Sequence, residues 1–255
     1  QGEGMYKQFR DPFAWKEGDT WYMLVGSGIP DKGGTALVYT SKDLVNWEYR
    51  NPLYIGDQFK YPKTGQVWEL PVFLPIGTDK QGKEKYIFII NPWFNGVSPY
   101  TSKNIWYWIG VWDKENYEFI PDDEEPQIFD YGEHFTGPSG MIDNKGRVIL
   151  FSIAQDGRTG FQQYLSGWAH NAGIPLVLSL GDDENLRIDP IPEFQSLRKE
   201  KLASFTNKSI KDANELLKNI KGDMLEIIVE LENVSSESYG MKVRSTEDGQ
   251  EETVI

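Results

Sequence analysis

Two carboxylates stand out by their neighbours. Asp11 immediately precedes Pro12, and Glu69 stands two residues before Pro71. Both prolines lead into short apolar runs that read as strands, so each acid occupies the start of a strand. Two carboxylates aimed at one point could act together on a glycosidic acetal. One would protonate the leaving oxygen while the other stabilises the positive centre left behind. Arg10, next to Asp11, adds a planar fork of donors that suits carboxylates. The same acids also fit solvated turns, where most of the 39 Asp and Glu residues must lie. The two readings differ in whether the chain folds so that the pair converges.

The elements around these residues repeat. From Arg10 the chain reads DPFAWKEG, DTWYMLVGSG, TALVYTSKD and NWEYRNPLY, four short strands punctuated by Gly, Asp and Asn. A second pass from Trp68 reads WELPVFLPIG, KYIFIINPW, NIWYWIGVWDKEN and YEFIPDDEE. A third from Gly137 reads GPSGMIDNKG, RVILFSIAQD, GWAHNAGIPLVLSLG and NLRIDPIPE. The prolines that open the passes, Pro12, Pro71 and Pro138, lie 59 and 67 residues apart. Four-stranded units recurring in this way predict blades of a β-propeller, whose inner strands surround a channel and would let Asp11 and Glu69 converge. Propellers close with about four to eight blades. Three are therefore expected to be an incomplete ring, short on its N-terminal side, with strand edges open to pairing.

Composition narrows the partners. A net charge of −13 opposes binding to nucleic acid or anionic membranes. No apolar run reaches the roughly 20 residues of a membrane helix. With no cysteine there is no disulfide framework or thiolate chemistry. No phosphate loop, nucleophile elbow or metal-ligand pattern is present, so the reading assigns no cofactor and no metal. The acidic run from Asp122 to Glu125 lacks the alternating ligands of a calcium loop and reads as a solvated turn. Aromatic residues make up 14% of the chain, enough both to fill a β core and to grip neutral sugars, and Trp68, Trp93 and His134 are candidate sugar contacts.

After Phe194 the pattern changes, which divides the chain into residues 1–194 and 195–255. Ile210, Ala213, Leu216, Leu217 and Ile220 fall at helical spacing. MLEIIVELENV and SYGMKVRST then alternate as two strands that would begin a second β domain.

The string FRDPFAWKEGDTWYMLVGSG, with Arg10-Asp11-Pro12, resembles a blade of glycoside hydrolase family 32, the invertase, inulinase and levanase family. YTSKDLVNWEY is similar to the element that follows it. Glu69-Leu70-Pro71 stands where the family carries Glu-Cys-Pro, and GWAHNAGIPLVLSL and IPEFQSLR resemble the family's closing strands and its exit. The resemblance implies a five-bladed β-propeller followed by a β-sandwich, the sandwich opening at GDMLEIIVELENV. It implies β-fructofuranosides as substrates: sucrose, inulin or levan.

On that resemblance Asp11 would stabilise the transition state, Arg10 would support it and the neighbouring carboxylates within the substrate-binding site, and Glu69 would be the acid/base. His134 stands where the family carries an Asp-Phe-Tyr-Ala segment that this chain does not reproduce. The family retains anomeric configuration through an Asp nucleophile in an Asn-Asp-Pro motif of the first blade. This sequence carries no such motif, and Asp189-Pro190 reads as structural. The stretch by itself is therefore expected to be inactive. A related five-bladed arabinosidase or xylosidase, and a non-catalytic sugar-binding propeller, are the alternatives. The residues do not fix a compartment, although the resemblance tilts toward export.

Overall fold

The computed structural model describes residues 6–132, 134–222, 224–232, 236–246 and the backbone of 253–254. Three antiparallel sheets make up its first compact unit, Gln1–Ile191. The first sheet orders β1 (Arg10–Glu17), β2 (Thr20–Ile29), β3 (Gly33–Ser41) and β4 (Glu48–Ile55) consecutively. The second orders β5 (Val67–Thr78), β6 (Glu84–Trp93), β7 (Trp106–Asp113) and β8 (Glu118–Pro121), with the short β9 (Gln127–Ile128) also on β7. The third comprises β10 (Phe135–Ile142), β11 (Val148–Ala154), β13 (Leu176–Leu180) and β14 (Leu186–Pro190), with β12 (Asn171–Ala172) on β11. These are the three strand groups that the repeat predicts.

The second sheet is buried on both faces, and its sequence explains why. In β6 the run KYIFIINP is apolar at both parities, the pattern of a strand covered on two sides. Its even positions, Tyr86, Phe88 and Ile90, join Trp68, Phe73, Trp108, Trp112 and Phe119 against Leu24, Ala36, Val38 and Leu53 of the first sheet. Its odd positions, Ile87 and Ile89, join Val72, Leu74 and Ile76 against Val148, Leu150 and Leu178 of the third. Close approach is built in with glycine. A Cβ at Gly26 would lie 2.3 Å from the Trp68 carbonyl oxygen, and one at Gly34 would lie 2.2 Å from the Trp68 ring. The backbone of β5 and its Trp68 ring thus lie directly on the first sheet.

Between β11 and β12 the chain forms a helix, α1 (Gly160–Ser166), that the strand pattern does not predict. Its start carries a reciprocal capping box between Thr159 and Gln162, and Gly167 ends it in the left-handed conformation.

The second unit, Pro192–Ile255, is sparser. Helix α2 (Ile210–Leu217) begins at Ser209, whose hydroxyl accepts from the Asp212 N–H at 3.1 Å. It stops short of Ile220, the last residue of the expected helical spacing. Arg198 pairs with Glu226. The alternating segment expected as a strand differs from that expectation: residues 224–232 adopt no strand. Alternation specifies a strand only where a partner ladder exists, and among the described residues this segment has none. The pairing seen in this unit joins β15 (Lys242–Val243) to β16 (Thr253–Val254).

Candidate active site

The first strand of each sheet breaks its register at the same place. Pairing of β1 with β2 shifts between Arg10 and Phe13, that of β5 with β6 between Glu69 and Val72, and that of β10 with β11 between Thr136 and Ser139. In each bulge one residue takes a left-handed backbone, and that residue immediately precedes the proline: Asp11 at φ 53°, Leu70 at φ 49° and Gly137 at φ 61°. Proline disfavours the right-handed helical region for the residue before it, and a bulge accommodates the left-handed alternative. At Asp11 and Leu70 this conformation costs about 1–2 kcal/mol each. Arg10, Glu69 and Thr136 are therefore structural equivalents, as are Asp11, Leu70 and Gly137.

The bulges bring the two acids together. The Asp11 carboxylate accepts from the Leu70 backbone N–H at 3.2 Å. Arg10 donates to the Glu69 carboxylate, forming an ion pair, and its other terminal nitrogen donates to the Gln8 side-chain carbonyl at 2.9 Å. Its guanidinium also lies 5.5 Å from the ring centroid of Trp93, which is 41% exposed. One arginine thus holds one carboxylate, while the second carboxylate is tied to the backbone beside the first.

Trp68 requires a correction. It is fully buried, its indole N–H donates to the Thr64 carbonyl at 2.9 Å, and it packs on Tyr54 and Trp108. Its place next to Glu69 in sequence is misleading, because successive strand residues face opposite ways. Trp68 is a core residue and offers no surface to a sugar; Trp93 is the accessible tryptophan at the carboxylates. His134 is exposed and joins Gln155, donating from Nδ1 to its carbonyl at 2.5 Å. Among the described residues, no hydrogen bond links His134 to Arg10, Asp11 or Glu69.

Two residues that the motifs do not single out connect the third bulge to the site. Asn91 is the cross-strand partner of Glu69 and is buried. It donates to the Ser102 carbonyl at 2.8 Å and accepts from the Thr136 hydroxyl at 2.9 Å. A lone asparagine inside the apolar run of β6 was the available sequence signal, because a buried amide needs polar partners. A cleft of about 580 Å³ opens elsewhere, against Trp106, Tyr107, Gln127, Phe129, Tyr131 and Ile188. None of the residues just described lines it.

A profile of the glycosyl hydrolases family 32 N-terminal domain matches residues 1–190. The chain belongs to glycosyl hydrolase family 32. Within the family it is 30% identical over 247 residues to a sucrose-6-phosphate hydrolase of Vibrio alginolyticus, a match covering 93% of this chain and 48% of that one. It is also 30% identical over 208 residues to a rice β-fructofuranosidase, insoluble isoenzyme 2, covering 75% of this chain and 34% of that protein. The chain thus spans about half the length, or less, of the curated relatives it matches. A family 32 β-fructofuranosidase of Bombyx mori superposes with a TM-score of 0.62 at 27% identity, over 76% of this chain and 40% of that structure. Fructan 1-exohydrolase IIa of Cichorium intybus shares the fold at a TM-score of 0.63 and 24% identity, over 77% of this chain and 38% of that structure.

Proposed function

We propose that this family 32 chain supplies two of the three carboxylates of a retaining β-fructofuranosidase acting on sucrose or a fructan. Glu69 acts as the acid/base: it protonates the departing glycosyl oxygen and then takes a proton from the water that attacks the fructosyl centre. Asp11 holds fructosyl hydroxyls while positive charge develops at that centre. Arg10 is a positioning residue that orients Glu69, and Trp93 offers an apolar surface beside the pair. The nucleophile is an aspartate outside these 255 residues, in a further blade of a five-bladed ring, and residues 195–255 lead from the propeller into a β-sandwich. On this reading the stretch alone binds substrate and does not turn it over.

The single observation behind the proposal is the pair of matched bulges, which seat the Asp11 carboxylate on the backbone next to Glu69. The names of relatives supply the substrate class. The test is sugar release from sucrose, inulin and levan by the purified chain, with Glu69→Gln as control. Release that disappears in the variant means that a nucleophile is present within the stretch or in a partner copy. No release, together with fructan binding, is the expected result. Activity that survives Glu69→Gln removes the acid/base assignment.

A further inference from the structure

The connections that leave the second strand of each sheet all emerge at the end carrying the bulges. Arg10 pairs with Gly26 near the end of β2, Glu69 with Asn91 near the end of β6, and Phe135 with Ala154 at the end of β11. The connections lengthen in order: residues 30–32, 94–105 and 155–175. The third connection begins beside the bulge that reaches Glu69 through Thr136 and Asn91.

That third connection is held by a dense set of polar contacts. The Gln155 N–H donates to the His134 carbonyl at 2.6 Å, and the Asp156 N–H donates to Nδ1 of His170 at 3.0 Å. Arg158 grips the Asp156 carboxylate from Nε at 2.8 Å and from Nη2 at 2.5 Å. It donates further to the Ser166 hydroxyl at 2.9 Å and to the Trp168 carbonyl at 3.2 Å. The guanidinium carbon sits 3.9 Å from the centroid of the Trp168 ring. Trp168 nevertheless remains 52% exposed. One face of the indole is covered by a cation that a carboxylate holds in place, and about half of the residue stays open to solvent.

An indole needs no such clamp to fill a core, and this one fills none. Fixing an exposed ring in one orientation removes the ordering cost that a ligand would otherwise meet on binding. The C–H faces of a sugar ring stack on an aromatic face, and the hydroxyls at the rim remain hydrated. We propose that Trp168, held by Arg158 and Asp156, is a stacking platform for a sugar unit of an oligosaccharide substrate beyond the fructosyl unit at Asp11. The inference rests on the reading of the carboxylates as a fructoside site, and it assigns to Trp168 the preference for chain length.

Isothermal titration of the 255-residue chain against sucrose, 1-kestose and a longer linear inulin fragment tests it. The expected result is affinity that rises with chain length, with Trp168→Ala weakening the longest ligand about tenfold and leaving sucrose unchanged. Trp168→Phe keeps most of the gain, because it keeps an aromatic face. Equal binding of the long ligand by wild type and Trp168→Ala overturns the platform alone. So does a loss that falls equally on sucrose, which would mark a structural role. If the wild type binds none of the three sugars, the fructoside reading fails and the platform fails with it.

Discussion

The bulge around Asp11 and the one around Gly137 share a backbone and differ in everything that reacts. Each interrupts the first strand of a sheet, each places a left-handed residue before a proline, and each opens at the same end of its sheet. In the first, the positions carry Arg10 and Asp11; in the third they carry Thr136 and Gly137, an inert pair that serves its neighbours through one hydroxyl. The second bulge stands between them, with Glu69 at the position Arg10 holds in the first and Leu70 at the left-handed position that Asp11 holds there. The comparison teaches that aiming and reacting are separable here. The backbone repeats the aim three times, and side-chain identity decides which copies present a carboxylate.

The sharpest way to break the comparison is at Glu69. In an active form of the protein, Glu69→Gln should lower kcat by about 10²–10⁴-fold, the range for a general acid. Thr136→Val at the equivalent position should leave kcat within a few-fold, as initial rates on sucrose would show. The next largest effect concerns the packing beneath the bulges. Trp68→Ala should cost about 3–5 kcal/mol in chemical denaturation. Gly34→Ala should cost about 1–3 kcal/mol, because its Cβ meets the same indole. Equal stability of both variants with the parent would mean that Trp68 is not the core residue described.

The strain at the bulges gives a smaller and signed test. Leu70→Gly removes a left-handed non-glycine residue and should leave stability within about 1 kcal/mol of the parent. Gly137→Ala introduces that strain and sets a Cβ 2.9 Å from Ile153, so it should destabilise by more than about 1 kcal/mol. The reverse order of the two midpoints would show that the bulges are not equivalent. The smallest effect is the acid response of the third connection. The Arg158 guanidinium and backbone N–H hold the Asp156 carboxyl down at about 2. A depressed folded-state value means that the clamp contributes fully above about pH 4 and is lost as pH falls toward 2. Protease cutting of residues 155–170 should rise over that window in the parent, and should be high and flat with pH in Asp156→Asn.

Much of this was legible in the sequence, for identifiable reasons. The strands declare themselves because buried sheets impose a period of two and tight turns demand Gly, Asn or Asp, and the proline-led units follow from that grammar. Asp11 and Glu69 were visible because each stands by a proline at a strand start. Trp68 was misread because adjacency along a strand is opposition in space. The helix α1 was hidden in a connection whose capping pair, Thr159 and Gln162, is too short a signal against a strand background. Residues 224–232 show the converse: alternation is present, yet a strand needs a partner that local sequence does not encode. The roles of Asn91 and Thr136 come from a contact between sheets, which no single strand announces.

The graded connections at the bulged end have a consequence for how such a protein can be altered. Since the carboxylates proposed for catalysis sit on strands and the proposed platform sits in a connection, the two answer to separate stretches of chain. A graft that exchanges residues 155–170 for a shorter turn leaves the ladders of β10 and β11 their own pairing. On the proposed reading, chain-length preference can be re-tuned by cassette, with the bulged strands as a fixed chassis. The same modularity gives natural variation a place to accumulate at the rim of the site while the frame remains unchanged.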